Sequence, residues 1–263
     1  RVRETLRPVF TTRFSRRLRR LALADGTLAE LCVDEGEIRA GRSRRQISEV
    51  EIELKAGNRQ ALFEFAAELL VEVPFRLGTD SKAERGYALY RNEQPRPRKA
   101  SSFSLRPYMP RAMVLQTVAH ACLAQIHANE HGFLTGRDPE FLHQLRVGFR
   151  RLRVALAMPE EPDWRAALEP VREEMRWLFS ALGPARNWDV FVTEILPPIQ
   201  SHFGSDEGLA ALRTRCLRLR RRHLALARKA VRSTRYPALL LSLATLLHGQ
   251  PPPELPDTVE PAR

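Results

Sequence analysis

Cysteine is scarce. Cys32, Cys122 and Cys216 are the only three in 263 residues, they lie far apart and none forms a CxxC pair, which excludes a disulfide framework and a zinc ribbon. No apolar run is long enough to cross a bilayer. The longest, Ala238 to Leu247, is interrupted by Ser242 and Thr245; it has about half the ~20 residues a span requires and is expected to be a buried helix. The opening RVRETLRPVF lacks the apolar core of a signal peptide, and the chain reads as a piece of a soluble cytoplasmic protein. Lysine is nearly missing as well, with Lys55, Lys82, Lys99 and Lys229 the only four among 43 basic residues. The formal charge of +12 and pI near 10.6 therefore rest on guanidinium groups suited to bidentate phosphate contacts, and the expected partner is an anion. With 43% hydrophobic residues, general disorder is excluded too.

Two halves are legible. Residues 1 to about 92 hold short alternating stretches separated by turn signals: an Asp25-Gly26 turn, TLAELCVD, a Glu35-Gly36 turn, EIRAG and SEVEIELKAG, the pattern of antiparallel strands. Apolar residues at Leu62, Phe65, Ala66, Leu69 and Leu70 recur at helical spacing, with Asn58 placed to cap that helix. Residues 93–110 carry prolines and serines without periodicity, the composition of a linker. From Arg111 the spacing becomes three and four, and helices are expected at about 111–131, 138–157, 163–182, 187–203, 207–232 and 235–248, with a break at Gly183-Pro184. The Pro-rich residues 249–263 are expected to be a disordered tail. The fold class expected is α+β: a strand domain followed by an all-α bundle.

The segment FLHQLRVGFRRLRVAL, advanced by about 100° per residue, separates into two faces. Leu142, Leu145, Phe149, Leu152 and Leu156 share one arc, and His143, Arg146, Arg150 and Arg153 share the arc beside it. Like charges at these spacings repel, so the helix gains nothing locally from the arrangement, whereas guanidinium–phosphate bonds contribute about 1.5 to 3 kcal/mol each. The competing account pairs these arginines with Glu169, Glu173 or Glu174 of the next helix. A second basic stripe, Arg215, Arg218, Arg222 and Lys229, suits a solvated helix face. Neither stripe interleaves aromatics, which disfavours base stacking, and only Gln144 offers a base-reading amide. A nucleic-acid-binding or general anion-binding scaffold remains the alternative.

The motif HQLRVGFRRLRVAL, preceded by GRDPEFL and followed by ALGPARNWDVF, resembles the CHAD family of helical domains over about 111–248. The resemblance implies a helical bundle that binds inorganic polyphosphate through a basic surface. His143, Arg146, Arg150 and Arg153 would contact phosphate with Arg186 nearby, and Asp189 would orient arginines. Asn187 stands where the family often has aspartate. A full domain of this family is longer, with a second basic motif of which His223 and Arg228 are the only hints here, so the domain is expected to be incomplete.

Residues 1–92 resemble the closing portion of a CYTH domain, the triphosphate tunnel metalloenzyme family, through LRPVFTTRF, AELCVDEGEIRAG, SEVEIELKAG and SKAERGYAL. In SEVEIELK, strand alternation sends Glu49, Glu51, Glu53 and Lys55 to one face; on the residues alone, a solvated outer face is the plainer account. The resemblance implies instead the lining of an antiparallel β-barrel, with Glu49, Glu51 and Glu53 holding Mg²⁺ or Mn²⁺. Glu51, Glu53 and Lys82 would act in hydrolysis, Arg13, Lys55, Lys82 and Arg85 would clamp phosphates, and Glu30 and Asp34 would complete the metal or water-orienting set. The family's opening Glu-x-Glu-x-Lys strand is not among these residues. The expectation is a partial barrel, inactive alone, from a parent inorganic triphosphatase acting on tripolyphosphate and located in the cytoplasm or at polyphosphate granules.

Overall fold

A computed structural model describes residues 7–159, 162–204 and 206–249; the tail expected over 249–263 lies, after its first residue, outside them. The chain divides into two compact units, 1–95 and 96–263.

In the first unit, β1 (Thr11–Ala22), β2 (Leu28–Ala40) and β3 (Ser43–Ala56) form an antiparallel meander in the order β1-β2-β3. The Asp25-Gly26 turn is present. Gly26 takes φ 83, and the Asp25 carboxylate accepts from the Thr27 N–H and hydroxyl, both at 2.9 Å.

The Glu35-Gly36 turn is not. β2 runs straight through it, Gly36 pairs with Phe14, and the chain reverses instead at Gly41-Arg42, with Gly41 at φ 56. Glycine is required at 36 for close approach rather than for turning, since a Cβ there would lie 2.2 Å from the Arg13 carbonyl oxygen. The sheet does not close into a barrel. Among the described residues β1 and β3 are its two edges, and closure requires both edges to be paired.

Helix α1 (Arg59–Glu72) starts at Asn58, whose side chain accepts from Gln60 N at 3.0 Å. Helix α2 (Lys82–Tyr90) was not expected from periodicity, but its start is written in the sequence. Ser81 accepts from Glu84 N at 3.1 Å and Glu84 accepts from Ser81 N at 2.8 Å, a reciprocal capping box. Gly86 lets α2 lie against Phe10, where a Cβ would meet the ring at 2.4 Å.

The second unit is helical: α3 (Arg111–Thr135), α4 (Glu140–Ala157), α5 (Pro162–Val190), a π-helical turn at Phe191–Ile195, α6 (Leu196–Phe203), α7 (Glu207–Arg232) and α8 (Arg235–His248). The Gly183-Pro184 break does not occur. Pro184 removes one backbone donor, but the helix face carrying Leu178, Leu182, Ala185 and Asp189 is buried, and that burial carries α5 across it. The irregularity falls at the π turn, followed by Pro197 and Pro198. The core includes Ile126, Leu145, Phe149, Leu152, Met175 and Tyr236. The apolar run 238–247 lies within α8, most of its leucines buried, and no helix among the described residues is long and apolar enough to cross a membrane.

Candidate functional site

Strand register builds the first candidate site. Arg16, Asp34 and Glu49 are cross-strand neighbours in one row, Leu18, Cys32 and Glu51 occupy the next row, and Arg20, Glu30 and Glu53 the one after. Alternation puts all of them on one face. Helix α2 adds Lys82 and Arg85 from one of its own faces. Asp34 is fully buried and accepts a fork from Arg16, Nε at 2.7 Å and Nη2 at 2.6 Å. Arg16 Nη2 also reaches Glu51 at 2.6 Å. Lys82 Nζ bonds Asp34 at 2.7 Å, Glu51 at 2.6 Å and Glu49, while Arg85 bonds Glu49. Three cations thus neutralise three carboxylates.

The consequences for ionisation follow. The hydrogen bonds from Arg16, helped by Lys82 and opposed by burial, pull the Asp34 carboxyl down to about 2. Burial pushes Glu49 up, but Lys82 and Arg85 outweigh it and leave it below the usual range. Burial likewise works against the Lys82 ammonium, yet Asp34, Glu49 and Glu51 hold it charged well above its ordinary value.

The carboxylates of Asp34, Glu49 and Glu51 offer oxygens within 4.8 Å of one another, a hard-oxygen set whose chemistry fits Mg²⁺ or Mn²⁺. Of the expected trio, Glu49 and Glu51 belong to this set, and Asp34 stands with them. Glu53 stands outside, bonded to Lys55 at 3.0 Å, and Lys55 in turn bonds Glu30 at 2.9 Å. The two form a separate row with Arg20, whose Nε lies 3.3 Å from Glu30. Arg13 is not brought to the cluster: it pairs with Glu37 on the opposite face. Arg16, three residues on and so of opposite parity, takes the place expected for it, a choice that strand alternation from Asp34 could have made.

The second candidate site is the edge of α4. Leu142, Leu145, Phe149, Leu152 and Leu156 are buried, His143 and Arg146 half-buried, and Arg150 and Arg153 exposed, so both arcs lie as expected. The competing account fails on particulars. Glu169 pairs with Arg176 at 2.8 Å and Arg172 at 3.7 Å, Glu173 with Arg176 at 3.5 Å, and Glu174 with Arg235 at 2.6 Å. Glu140 accepts from Gln144 at 2.6 Å. Among the described residues no carboxylate pairs with Arg146 or Arg150. Arg146 Nη1 is buried without a hydrogen-bond partner, close to Gly183 of α5. Burial first, then the fields of Arg186 and Arg150, lower the Arg146 pKa, so three guanidinium groups from α4 and α5 converge. Arg186 has one weak contact, to Glu194 at 3.4 Å. Arg153 stacks over Phe179 at 4.9 Å, which fixes it one turn further along.

Helix α7 spends its basic residues differently. Arg228 donates to Phe133 O at 2.9 Å and Gly136 O at 2.6 Å, and Arg232 to Leu134 O at 3.0 Å. These satisfy carbonyls at the end of α3, so the hint of a second basic motif at Arg228 is a helix cap. Arg215, Arg218, Arg222 and Lys229 are exposed. Asp189, buried on α5, accepts from Arg220 Nε at 2.6 Å; Arg220 itself was not singled out by the sequence.

Comparison with known proteins finds two domain matches along the chain. A model of the CYTH domain matches residues 2–87, and one of the CHAD domain matches residues 117–263. Over 85 residues, 32% of the chain, it is 41% identical to the inorganic triphosphatase of Haemophilus influenzae. The chain spans 24% of the length of that protein. The crystal structure of the CHAD domain from the plant Ricinus communis superposes with a TM-score of 0.50 at 32% identity, covering 58% of this chain and 50% of that one. The chain belongs to the CHAD domain family, and the residues matched by the CYTH domain precede those matched by the CHAD domain.

Proposed function

We propose that the α4 edge formed by His143, Arg146, Arg150 and Arg153, together with Arg186, binds inorganic polyphosphate. The observation that carries this is the half-buried Arg146, with Nη1 unpartnered and its nearest charged neighbours also cationic. A buried, unsatisfied guanidinium destabilises the free protein, and a chain of linked phosphoryl groups supplies acceptors and opposite charge at the spacing of successive helical turns. The two domain matches and the relative named inorganic triphosphatase support a function related to triphosphate or polyphosphate. The test is titration with long-chain polyphosphate against duplex DNA of equal charge. The double change Arg146→Ala, Arg150→Ala should weaken polyphosphate binding roughly a hundredfold or more with helix content unchanged. Undiminished binding refutes the site, and preferential capture of DNA favours the nucleic-acid alternative.

The sheet face supports a second reading, hydrolysis of tripolyphosphate. Asp34, Glu49 and Glu51 would hold Mg²⁺ or Mn²⁺, which would supply neutralising charge to phosphoryl oxygens. Arg16, Lys82 and Arg85, freed from the carboxylates, would hold the phosphates in line, since phosphoryl transfer depends mostly on positioning and charge. Phosphate release with and without Glu51→Gln tests it: the variant should lose at least tenfold, and equal rates remove this carboxylate from the mechanism.

A further inference from the structure

Helix α7 packs on α5, and what is inferred from that contact rests on the polyphosphate reading above. Arg186 and Asp189 lie three residues apart on α5, one turn of helix, so the two side chains emerge on the same side. Arg186 joins the guanidinium cluster. Asp189 is 1% exposed, and its carboxylate is only half used: Oδ1 accepts from Arg220 Nε of α7 at 2.6 Å, while Oδ2 is buried with no hydrogen-bond partner. A buried carboxylate that engages a single donor is expensive to keep. If its task were only to join α5 to α7, a two-bond fork would cost less.

The single bond engages one of the Arg220 guanidinium nitrogens. Nε is tied to Asp189, which leaves Nη1 and Nη2 to other partners. Among the described residues those two nitrogens have no hydrogen-bond partner, although the side chain is only a quarter exposed. Arg228, the other basic residue under the field of Asp189, spends its donors on the carbonyls of Phe133 and Gly136 and has little left to offer a ligand. We infer that Arg220 is a further phosphate-contacting group of the polyphosphate site, and that Asp189 is the positioning residue that aims it.

Two variants test this on the full chain, with long-chain polyphosphate as the probe at several salt concentrations. Arg220→Ala should weaken binding roughly tenfold and reduce the slope of log affinity against log salt by about one, because one fewer phosphate contact is made. A residue that only braced the helices would lower the melting temperature and leave that slope alone. Asp189→Asn keeps the shape and an acceptor and so spares the fold. Long-range electrostatics predicts that removing a negative charge beside a cationic site tightens polyanion binding, whereas loss of aim predicts that it loosens, by about threefold. An unchanged salt slope in Arg220→Ala, or unchanged or tighter binding in Asp189→Asn, overturns the inference; if Arg220→Ala does not fold, the sign of the Asp189→Asn effect decides. The two levels of argument fail separately. Full binding by the Arg146→Ala, Arg150→Ala protein sinks the site itself, while loss of binding there, with Arg220→Ala unaffected, sinks only the role of Arg220.

Discussion

Replacing Arg146 with methionine should make the free protein more stable and the polyphosphate-bound protein less so. In the absence of ligand Arg146 is half-buried, its Nη1 makes no hydrogen bond, and its charge is opposed by Arg150 and Arg186. An unsatisfied buried donor costs about 1 to 3 kcal/mol, and each like-charge neighbour adds a few tenths. Methionine keeps most of the aliphatic stem in place and discards the guanidinium. The net gain is about 1 to 2 kcal/mol, or roughly 2–8 °C in melting temperature for a domain of this size. Intrinsic fluorescence suits the measurement, because Trp164, Trp177 and Trp188 all lie in α5 and report the helical unit alone. Polyphosphate at about a hundred times its dissociation constant should stabilise the wild type by about 2.7 kcal/mol and the variant by much less, so the order of the two melting curves reverses on adding ligand. A methionine variant that melts lower than wild type without ligand would mean that Arg146 makes a stabilising contact, and the reasoning would fail.

Two further outcomes follow from the sheet unit. Asp34 has a carboxyl value near 3.8 when unfolded and about 2 when folded, so its contribution is complete above about pH 4 and is lost as pH falls toward 2. Partly exposed Arg16 is open to screening, so the loss should be on the order of 1 to 2 kcal/mol. Hydrogen exchange of β1 and β2 amides between pH 5 and pH 2 should show it, corrected for the intrinsic acid dependence of exchange, and an Asp34→Asn protein that keeps the same acid-sensitive step would rule it out. Gly36→Ala forces a Cβ to within 2.2 Å of the Arg13 carbonyl, where backbone and not a pliable side chain must yield. It should cost at least about 2 kcal/mol in urea unfolding, and a midpoint unchanged from wild type would mean that β1 and β2 separate there at little cost.

Where a feature depends on one element, the residues alone announced it. The α4 faces, the Asn58 cap, the Asp25-Gly26 turn and the buried run of α8 each follow from local spacing. The errors came where two elements must be known together. Glycine at 36 looks like a turn until β1 is laid beside it, and Pro184 looks like a break until the burial of Leu182 and Asp189 is seen. Glu53 and Glu49 are equivalent on a lone strand, and only the rows of the sheet and the approach of Lys82 and Arg85 separate them. Ser81-x-x-Glu84 is a local pattern for a helix start that the apolar spacing of the short α2 does not announce. Arg220 could not be singled out among its arginine neighbours, because the distinguishing partner, Asp189, is 31 residues away.

The two candidate sites solve opposite electrostatic problems, and that decides what each can accept. On the sheet face the charges close on themselves: an anion arriving alone would draw Arg16 and Lys82 away and leave Asp34 buried and unpaired, while a divalent cation arriving alone would strand the Lys82 ammonium. Either desolvated, uncompensated charge costs several kcal/mol. A ligand that brings both signs at once lets each group change partners without that loss, which suits a metal-bound oligophosphate and disfavours simple salts. Along α4 the charge is uncompensated from the start, so an anion alone suffices, and affinity there should fall steeply as salt rises. One chain thus carries two surfaces of different charge balance, because carboxylates like those that pair Arg16 and Lys82 are missing, among the described residues, beside Arg146 and Arg150.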